Sequence, residues 1–302
     1  MIITRGLDKI QAKPRLLALG NFDGVHRGHS ALLGRMAQDA REMQLPCAAL
    51  TFEPHPQALL NPSSAPRLLS SAEEKSALLA ALGLTELIVI DFDESFRHLS
   101  AREFVREILM QRCNARRIYV GAGYRFGYRG EGNVAVLREV LGAAGATVVE
   151  LELLNDPATP TAITSSGIRA ALQAGNLETA LQMLGHPYRL WGAIVSDDYL
   201  PAIPAEPYGK IRFRKHILLP SAGIYEGEGL LPEESGQEAR RYRILLRIKA
   251  TEEDPHNGTM VEARFIGSEV PVSGKQMIVS FKSRLGSQET WDALVDQKIG
   301  EL

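Results

Sequence analysis

The sequence predicts an α/β protein in which a parallel sheet with helices on both faces precedes a small antiparallel β-barrel with a terminal helix. In the first half, short apolar strands alternate with segments of helical periodicity. These strands are almost continuously apolar, which is typical of a parallel sheet covered on both faces. From Arg189 onward the pattern changes to strands alone, which predicts a second, antiparallel domain.

The first half contains five predicted strands, separated by predicted helices. The strands are Leu16–Leu19, Pro46–Phe52, Glu86–Asp91, Arg117–Gly121 and Thr147–Leu151. The helices are Ser30–Met43, Ser71–Leu82, a helix from the Ser100–Glu103 capping box to about Arg112, and Val134–Leu141. Ligands bind beyond the carboxyl ends of parallel strands, so the loops after the first, second and fourth strands are the candidate site.

Composition excludes several classes of protein. The chain has 302 residues, enough for two domains that each bury a core. A formal charge of −2 predicts binding neither to nucleic acid nor to an anionic membrane surface, and no apolar run approaches membrane-spanning length. Cys47 and Cys113 form no spaced pair, which argues against a disulfide framework or zinc motif and predicts a cytoplasmic protein.

The first predicted strand leads into the most informative stretch of the chain. It passes through Gly20-Asn21-Phe22-Asp23-Gly24 into His26-Arg27-Gly28-His29, where the next helix begins. Free backbone N–H groups and the positive end of a helix dipole can hold a phosphate at such a position. The two histidines are three residues apart, so one helical turn would place both imidazoles on one face. We therefore predict a nucleotide site here.

Two other loops carry candidate binding residues. Glu53-Pro54-His55-Pro56 places a carboxylate and an imidazole in a segment stiffened by two prolines. The loop 121–130 combines aromatic rings and arginines, which suit stacking on a planar ring and pairing with phosphate. Its candidate residues are Tyr124, Arg125, Phe126, Gly127 and Arg129.

A further candidate anion site precedes the predicted domain boundary. Thr164-Ser165-Ser166 opens a helix with hydroxyl groups that can cap it, and Arg169 follows one turn later. Gly175-Asn176 ends this helix and caps another through Leu184. We place the boundary between two domains, 1–185 and 186–302, at Gly185-His186.

The second domain reads as a small antiparallel barrel with a C-terminal helix. Residues alternate in the predicted strands, as in Ile244, Leu246 and Ile248. The helix is capped near Ser287. The strands are Leu190–Val195, Ile217–Leu219, Arg243–Ile248, Met260–Phe265 and Met277–Phe281, and the apolar stripe of the helix is Trp291, Leu294, Val295 and Ile299.

The segment Gly20–His29 resembles the signature of prokaryotic bifunctional riboflavin kinase/FAD synthetases, within the wider His-x-Gly-His nucleotidyltransferases. Residues 51–56, 121–127 and 164–169 are similar to further motifs of that family. Two positions depart from it, because Gly123 stands where an Asp or Asn is usual and Gly167 replaces a threonine. The resemblance implies a Rossmann-like FMN adenylyltransferase domain whose substrates are ATP and FMN.

The resemblance also assigns residues to roles. His26, His29, Ser165, Ser166 and Arg169 are the expected catalytic residues, with Arg169 on the phosphates of ATP or on pyrophosphate. Mg²⁺ is expected with ATP, and its ligands stay open, as does the oligomeric state. The expected ATP-binding residues are Gly20, Asn21, Phe22, Asp23, Gly24 and Gly28. The expected flavin-binding residues are Glu53, His55, Tyr124, Arg125, Phe126, Gly127 and Arg129.

The second domain resembles the riboflavin kinase module with one part replaced. Pro220–Tyr225, Glu262 and Arg284 correspond to its turn, catalytic glutamate and C-terminal arginine. Its loop bearing a threonine and an asparagine for magnesium and phosphates is replaced by Leu200–Lys210. Phosphoryl transfer depends on such positioning, so we predict a barrel without kinase activity.

Three functional hypotheses remain open at this point. The first is an FMN adenylyltransferase with a degenerate kinase module. The second is a nucleotidyltransferase for another phosphorylated acceptor, motivated by Gly123 and Gly167. The third is a non-catalytic flavin- or nucleotide-binding protein.

Overall fold

The computed structural model describes residues 1–152, 154–155, 162–195, 208–232, 239–249, 253–254, 258–266, 274–291 and 294. Contacts among these residues divide the chain into two compact units. The first lies within Met1–Pro66 and Lys75–Ile163, and the second within Arg67–Glu74 and Thr164–Leu302. The predicted boundary at residue 185 lies between the last helix of the α/β pattern and the first barrel strand, and so differs from the division between these two units. It stays a prediction.

The first unit is built on a six-stranded parallel sheet in the order β1-β4-β3-β2-β5-β6. The strands are β1 (Ile2–Arg5), β2 (Arg15–Leu19), β3 (Cys47–Glu53), β4 (Glu86–Asp91), β5 (Ala115–Gly121) and β6 (Thr147–Leu151). The five predicted strands are therefore confirmed, with ends that shift by at most two residues. β1 was missed.

Five helical segments accompany this sheet. They are α1 (Arg27–Met43), α2 (Pro56–Leu60), α3 (Ala72–Ala81), α4 (Ala101–Glu103) and α5 (Val134–Gly142). α4 continues as a π-helix over Phe104–Arg112. The predicted capping box is present, since Ser100 and Glu103 exchange side chain–backbone bonds. α1 begins three residues earlier than predicted, because His26 itself is its N-cap.

The sheet is buried on both faces, as the apolar strands predict. Leu17 and Leu19 of β2 lie in one hydrophobic cluster with residues of the α4 segment and α5. Leu16 and Ala18 lie in the other, with residues of α1. Successive side chains of a strand point to opposite faces, so one continuously apolar strand serves both clusters.

The second unit contains two helices and a closed barrel. The helices are α6 (Ser165–Gln173) and α7 (Leu177–Leu184). Six antiparallel strands run in the order β10-β9-β13-β7-β8-β12, and pairing of β10 with β12 closes the barrel. The barrel strands are β7 (Tyr188–Val195), β8 (Tyr208–Phe213), β9 (Gly223–Leu231), β10 (Arg240–Ile248), β12 (Gly258–Ile266) and β13 (Gln276–Gly286). A short strand, β11 (Glu253–Asp254), pairs with β12.

The strands of the barrel differ from the predicted strands at three places. Ile217–Leu219 is buried but not a strand, and only an isolated bridge joins Ile217 to Leu68. β8 and β9 were not predicted. At the C-terminal end, a short 3-10 helix covers Gln288–Thr290 after Ser287. The remainder of the predicted terminal helix lies almost wholly outside the described residues, as does most of the segment 200–210.

Candidate active site

The candidate site lies where the parallel sheet reverses its winding direction. β2 and β5 are neighbours, with β3 and β4 beyond β2 on one side and β6 beyond β5 on the other. Helices and loops that follow β2 and β5 diverge at this point and leave a crevice beyond the carboxyl ends of the strands. The predicted nucleotide segment follows β2, and the aromatic loop follows β5. Both therefore start at the topological switch point of the sheet, between β2 and β5, where the strand order reverses.

The turn after β2 uses unusual backbone conformations to reach the start of α1. Phe22, Gly24 and Val25 have φ angles of 47°, 77° and 38°. Glycine adopts such values readily, whereas the other two residues do so only under constraint from their surroundings. The constraint is burial, since Phe22 and Val25 are 0% and 1% exposed. The turn is thus fixed by the core beneath it.

The turn brings His26 and His29 together as expected. Their rings are stacked, with centroids 3.7 Å apart and an interplanar angle of 17°. The His26 Nδ1 atom accepts a hydrogen bond of 3.3 Å from the backbone N–H of His29, which caps α1. A Cβ atom at Gly28 would lie 3.2 Å from the His26 ring, so Gly28 leaves space for this arrangement. The predicted juxtaposition of the two imidazoles is confirmed.

Charge and burial keep His29 neutral. Burial lowers the pKa of His29 well below its usual value, and the positive charges of His26 and Lys75 lower it further. Phe22 contacts the ring edge-on at 5.2 Å. The His29 Nδ1 atom is buried and has no hydrogen-bond partner in the described part of the chain. Buried polar atoms are rarely left unsatisfied, so this nitrogen points to a ligand.

Asn21 links this turn to the loop after β3. Its amide nitrogen lies 3.0 Å from His55 Nε2, while His55 Nδ1 accepts a bond of 3.2 Å from the backbone N–H of Gln57 and so caps α2. The Asn21 carbonyl oxygen accepts bonds from Thr51 Oγ1 at 3.2 Å and from Lys75 Nζ at 2.8 Å. The structure therefore brings His55 and the predicted nucleotide segment together.

Lys75 is a site residue that the sequence reasoning missed. It lies on α3 in the first unit, three and four residues before Leu78 and Leu79. Residues at that spacing share one helix face, so a lysine interrupts the apolar stripe that the periodicity predicted. A charged residue on an otherwise apolar face is the signal that could have identified it.

The other predicted residue of the β3 loop has a different environment. Glu53 ends β3 and forms an ion pair with Arg5 of β1, and both side chains are about half exposed. An exposed pair of this kind contributes little to stability. Glu53 therefore lies at the solvent side of the sheet edge, where its carboxylate is accessible.

The loop after β5 divides its residues between core and surface. Phe126 is 7% exposed and packs against Phe104, and Tyr124 stacks on Phe126 at 5.8 Å. Burial raises the pKa of Tyr124. The Arg129 guanidinium lies 5.1 Å from the Tyr128 ring centroid, and the side chains of Arg125 and Arg129 are exposed. Their flavin-binding role stays a prediction.

Ser165, Ser166 and Arg169 belong to the second unit. Thr164 is the N-cap of α6, because its Oγ1 accepts a 3.0 Å bond from the N–H of Gly167. Ser166 in the first turn is exposed, and Ser165 is half-buried. Arg169 is half-buried, and its Nε donates to the carbonyl oxygen of Arg67 at 2.7 Å. This bond orients the guanidinium.

In the barrel, Glu262 lies on β12 and is 9% exposed. Lys249 Nζ lies 2.6 Å from one of its carboxylate oxygens, and Arg247 Nη1 donates to the other at 3.4 Å. Arg284 on β13 is exposed and donates from Nη2 to the carbonyl oxygen of Ala222 at 3.3 Å. The two predicted kinase residues are thus each held by other groups of the same unit.

Two kinds of feature are absent from the described residues. No helix among them is long and apolar enough to cross a bilayer. No cluster of three or more His, Cys, Asp or Glu side chains that could hold a metal ion occurs in this part of the chain.

The stacked histidines lie at a helix N-terminus, on the switch point of a parallel sheet, and the family that the chain matches is one of nucleotidyltransferases. A family model described as FAD synthetase matches residues 8–165, about half of the chain. The chain belongs to the FAD synthetase family.

Similar proteins agree with this assignment. A bifunctional riboflavin kinase/FMN adenylyltransferase of Escherichia coli strain K12 is 31% identical over 233 residues, which cover 76% of this chain and 74% of the relative. Its counterpart in Bacillus subtilis strain 168 is 34% identical over 217 residues, covering 71% and 67%. A crystal structure described as a macrolide-efflux protein from Streptococcus pneumoniae shares the fold, with a TM-score of 0.79, 23% identity and coverage of 99% and 96%.

Proposed function

We propose that this chain transfers the AMP group of ATP to FMN and so makes FAD and pyrophosphate. The observation that carries the proposal is the stacked His26–His29 pair at the N-terminus of α1, on the switch point of the sheet. Membership of the FAD synthetase family supports the choice of substrates.

The reaction is an in-line displacement at the α-phosphorus of ATP. An oxygen of the FMN phosphate attacks that phosphorus and forms a new P–O bond. The bond to the β-phosphate oxygen breaks, and its electron pair leaves with pyrophosphate. No covalent intermediate with the protein is needed, so the chain accelerates the reaction by aligning two anions and stabilising charge on the leaving group.

His26, His29 and the first turn of α1 would bind the phosphate chain of ATP. The nitrogen atoms of two imidazoles and the free N–H groups of a helix N-terminus are suitable donors for phosphate oxygens. A neutral His29 can donate from one nitrogen without the cost of burying an imidazolium. The glycines at 20, 24 and 28 would allow the phosphates to approach the backbone closely.

Arg169, Ser165 and Ser166 would stabilise the departing pyrophosphate. A guanidinium pairs with two phosphate oxygens in a fixed geometry, and hydroxyl groups add further donors. The bond from Arg169 Nε to the Arg67 carbonyl oxygen orients the guanidinium, whose terminal nitrogens would pair with phosphate. Tyr124, Arg125 and Arg129 would contact the flavin nucleotide.

Mg²⁺ would enter with ATP. It prefers phosphate and water oxygens with only one or two carboxylates, which fits a site where the described residues form no metal cluster. When bound, it neutralises charge on the phosphate chain. The protein ligands of Mg²⁺ stay open.

We further propose that the barrel does not phosphorylate riboflavin. A glutamate that acts as a base must accept a proton from the substrate hydroxyl. Glu262 instead lies between Lys249 and Arg247, and both of its oxygens have a cationic partner. The replaced segment 200–210, which lacks the threonine and asparagine that the family uses there, supports the same conclusion.

A paired assay of the full chain tests both proposals. Pure protein is incubated with ATP and Mg²⁺, with FMN in one tube and riboflavin in the other, and flavins are separated by chromatography. We expect FAD from FMN and no FMN from riboflavin. FMN formed from riboflavin would refute the loss of kinase activity.

His29→Ala tests the site itself. We expect AMP transfer to fall at least about a hundredfold, because loss of one donor to a developing charge typically costs that much. His216→Ala is the matched control, since His216 is exposed and belongs to none of the predicted site residues. A His29→Ala variant with normal turnover would refute the proposed site.

One observation favours another acceptor as the second candidate function. Gly123 has a φ of 75°, and a Cβ atom there would meet nothing within 4 Å. Asp and Asn tolerate a positive φ better than most other residues, and the open space would hold their side chains, so the chain lacks a side chain that this position could carry. If neither flavin reacts, pyrophosphate release with other phosphate esters would identify the acceptor. No release with any acceptor would instead indicate a non-catalytic binding protein.

A further inference from the structure

The ammonium group of Lys75 lies in the nucleotide site beside the predicted catalytic residues. Its Nζ donates a 2.8 Å hydrogen bond to the carbonyl oxygen of Asn21, the residue that also contacts His55. This is the one acceptor that the described residues place within hydrogen-bond distance of Nζ. An ammonium has three N–H donors, so two of them remain for another acceptor.

Lys75 interacts with charged groups of this site. Burial lowers the pKa of Lys75, while the negative charges of Asp23 and Glu53 oppose that effect. On the other side, the charge of Lys75 acts on His29 and disfavours its imidazolium. The fold therefore places an ammonium group near a neutral imidazole at one end of the sheet. Perturbed pKa values of this kind are common at functional sites.

A second observation at the same site points independently to a ligand. The buried Nδ1 atom of His29 has no partner in the described part of the chain. Its neighbour His26 uses the equivalent atom to cap α1. Lys75 and His29 thus both have hydrogen-bonding capacity that the described part of the chain does not satisfy.

We propose that Lys75 is a further phosphate-binding residue of this site, whose ammonium donates to an oxygen of the ATP phosphate chain while it keeps its bond to the Asn21 carbonyl. The proposal rests on the proposed function, because that function names ATP as the nucleotide. It concerns binding, however, and does not require that AMP be transferred to FMN.

Lys75→Gln separates this role from a structural one. The glutamine amide can still donate a hydrogen bond to the Asn21 carbonyl oxygen but carries no charge. If Lys75 serves only to hold the loop, the variant should bind ATP normally. Lys75→Arg retains the charge and should recover part of any lost affinity. Lys9→Gln is the matched control, because Lys9 is an exposed lysine of the same unit.

The experiment is titration calorimetry of the full-length chain with ATP and Mg²⁺, together with thermal unfolding of each variant. We expect Lys75→Gln to weaken ATP binding about ten- to hundredfold, the range for one charge-assisted hydrogen bond, while Lys9→Gln has no effect. The salt dependence of binding should also be smaller in Lys75→Gln than in the parent chain. Unchanged affinity in a folded Lys75→Gln protein would overturn the proposal.

A measurement on the unmodified chain covers the case in which Lys75→Gln does not fold. Lysines are reductively methylated with and without ATP and Mg²⁺, and the extent at each lysine is read by peptide mass spectrometry. We expect ATP to protect Lys75 while Lys9 stays equally reactive. Equal methylation of Lys75 in both samples would overturn the proposal. Because neither measurement uses FMN, failure of AMP transfer would refute the proposed function without affecting this test.

Discussion

Asp39 connects the helix that carries the histidines to the sheet, and its removal should destabilise the first unit. The carboxylate is 3% exposed on α1 and accepts a 2.6 Å bond from Tyr119 Oη on β5. Arg117 donates to the same oxygen at 3.0 Å, and Arg35 donates to the other at 2.9 Å. Burial alone would raise the pKa of Asp39, but the bonds from Tyr119, Arg35 and Arg117 outweigh it and lower the pKa.

The expected cost of Asp39→Ala follows from the burial of each partner. Tyr119 is fully buried, so its unsatisfied hydroxyl costs about 1–3 kcal/mol. The side chain of Arg35 is 60% exposed and that of Arg117 is 30% exposed, so each lost pair adds only about 0.2–1 kcal/mol. Alanine regains up to about 0.7 kcal/mol through helix propensity. The free energy of unfolding should therefore fall by about 1–4 kcal/mol.

Urea unfolding of a double-mutant cycle tests this reasoning. In the Tyr119→Phe background the buried hydroxyl is absent, so Asp39→Ala should cost at least about 1 kcal/mol less than it does alone. Asp39→Asn keeps an oxygen acceptor and should cost about 1 kcal/mol. Because its pKa is lowered, the stability from Asp39 is present above pH ~4 and is lost as the pH falls through its folded pKa. Equal cost of Asp39→Ala in both backgrounds would refute the assigned bond.

Gly127→Ala should destabilise the loop after β5 by about 2–4 kcal/mol in urea unfolding, because φ is 74° and a Cβ atom would lie 2.6 Å from the Ala101 backbone nitrogen. Gly34→Ala, in open space on α1, should instead stabilise the protein by about 0.5–1 kcal/mol, and a loss there would contradict the helix-propensity argument. His29 should make stability pH-dependent. Its pKa is lowered, so below about pH 6.5 the unfolded chain binds the proton first and the free energy of unfolding declines. Unfolding at pH 7.5 and 5.5 should show this decline in the parent chain and a smaller one in His29→Gln; equal declines would refute it.

The parallel sheet could be predicted because its strands are apolar on both faces. β2 is buried along its whole length, so its sequence carries a strong signal. β1 lies at the sheet edge, and Ile2 and Ile3 are 61% and 45% exposed. It pairs through its backbone with β4, which sequence periodicity does not report. Edge strands are therefore the natural place for such a prediction to fail.

The barrel strands were harder to predict for a different reason. β9 contains Gly227 and Gly229, which lower strand propensity, yet a Cβ atom at either position would clash with Ser280 or Met277 of β13. The glycines are required by close approach of neighbouring strands, which is known only from the tertiary structure. Ile217 shows the opposite error, because an apolar buried segment can pack without joining a sheet.

In the candidate site, spacing predicted the stacked histidines, whereas Lys75 was missed. His26 and His29 are three positions apart at the start of α1, so local geometry determines their contact. Lys75 reaches Asn21 from another helix, 54 positions along the chain. Contacts between distant elements depend on how the helices pack on the sheet. The cap of α6 was ambiguous because Thr164, Ser165 and Ser166 are all suitable, and the structure selects Thr164.

The turn between β2 and α1 has a strained backbone, and burial of its side chains in the core offsets the strain. A non-glycine residue with positive φ costs about 1–2 kcal/mol, so Phe22 and Val25 together cost about 2–4 kcal/mol. Full burial of two such side chains contributes about 1.5–3 kcal/mol each, which equals or exceeds that cost. The bonds from Thr51 and Lys75 to the Asn21 carbonyl add to this balance. The backbone of this turn is therefore preorganised, so the proposed binding of phosphate would not spend energy on ordering it.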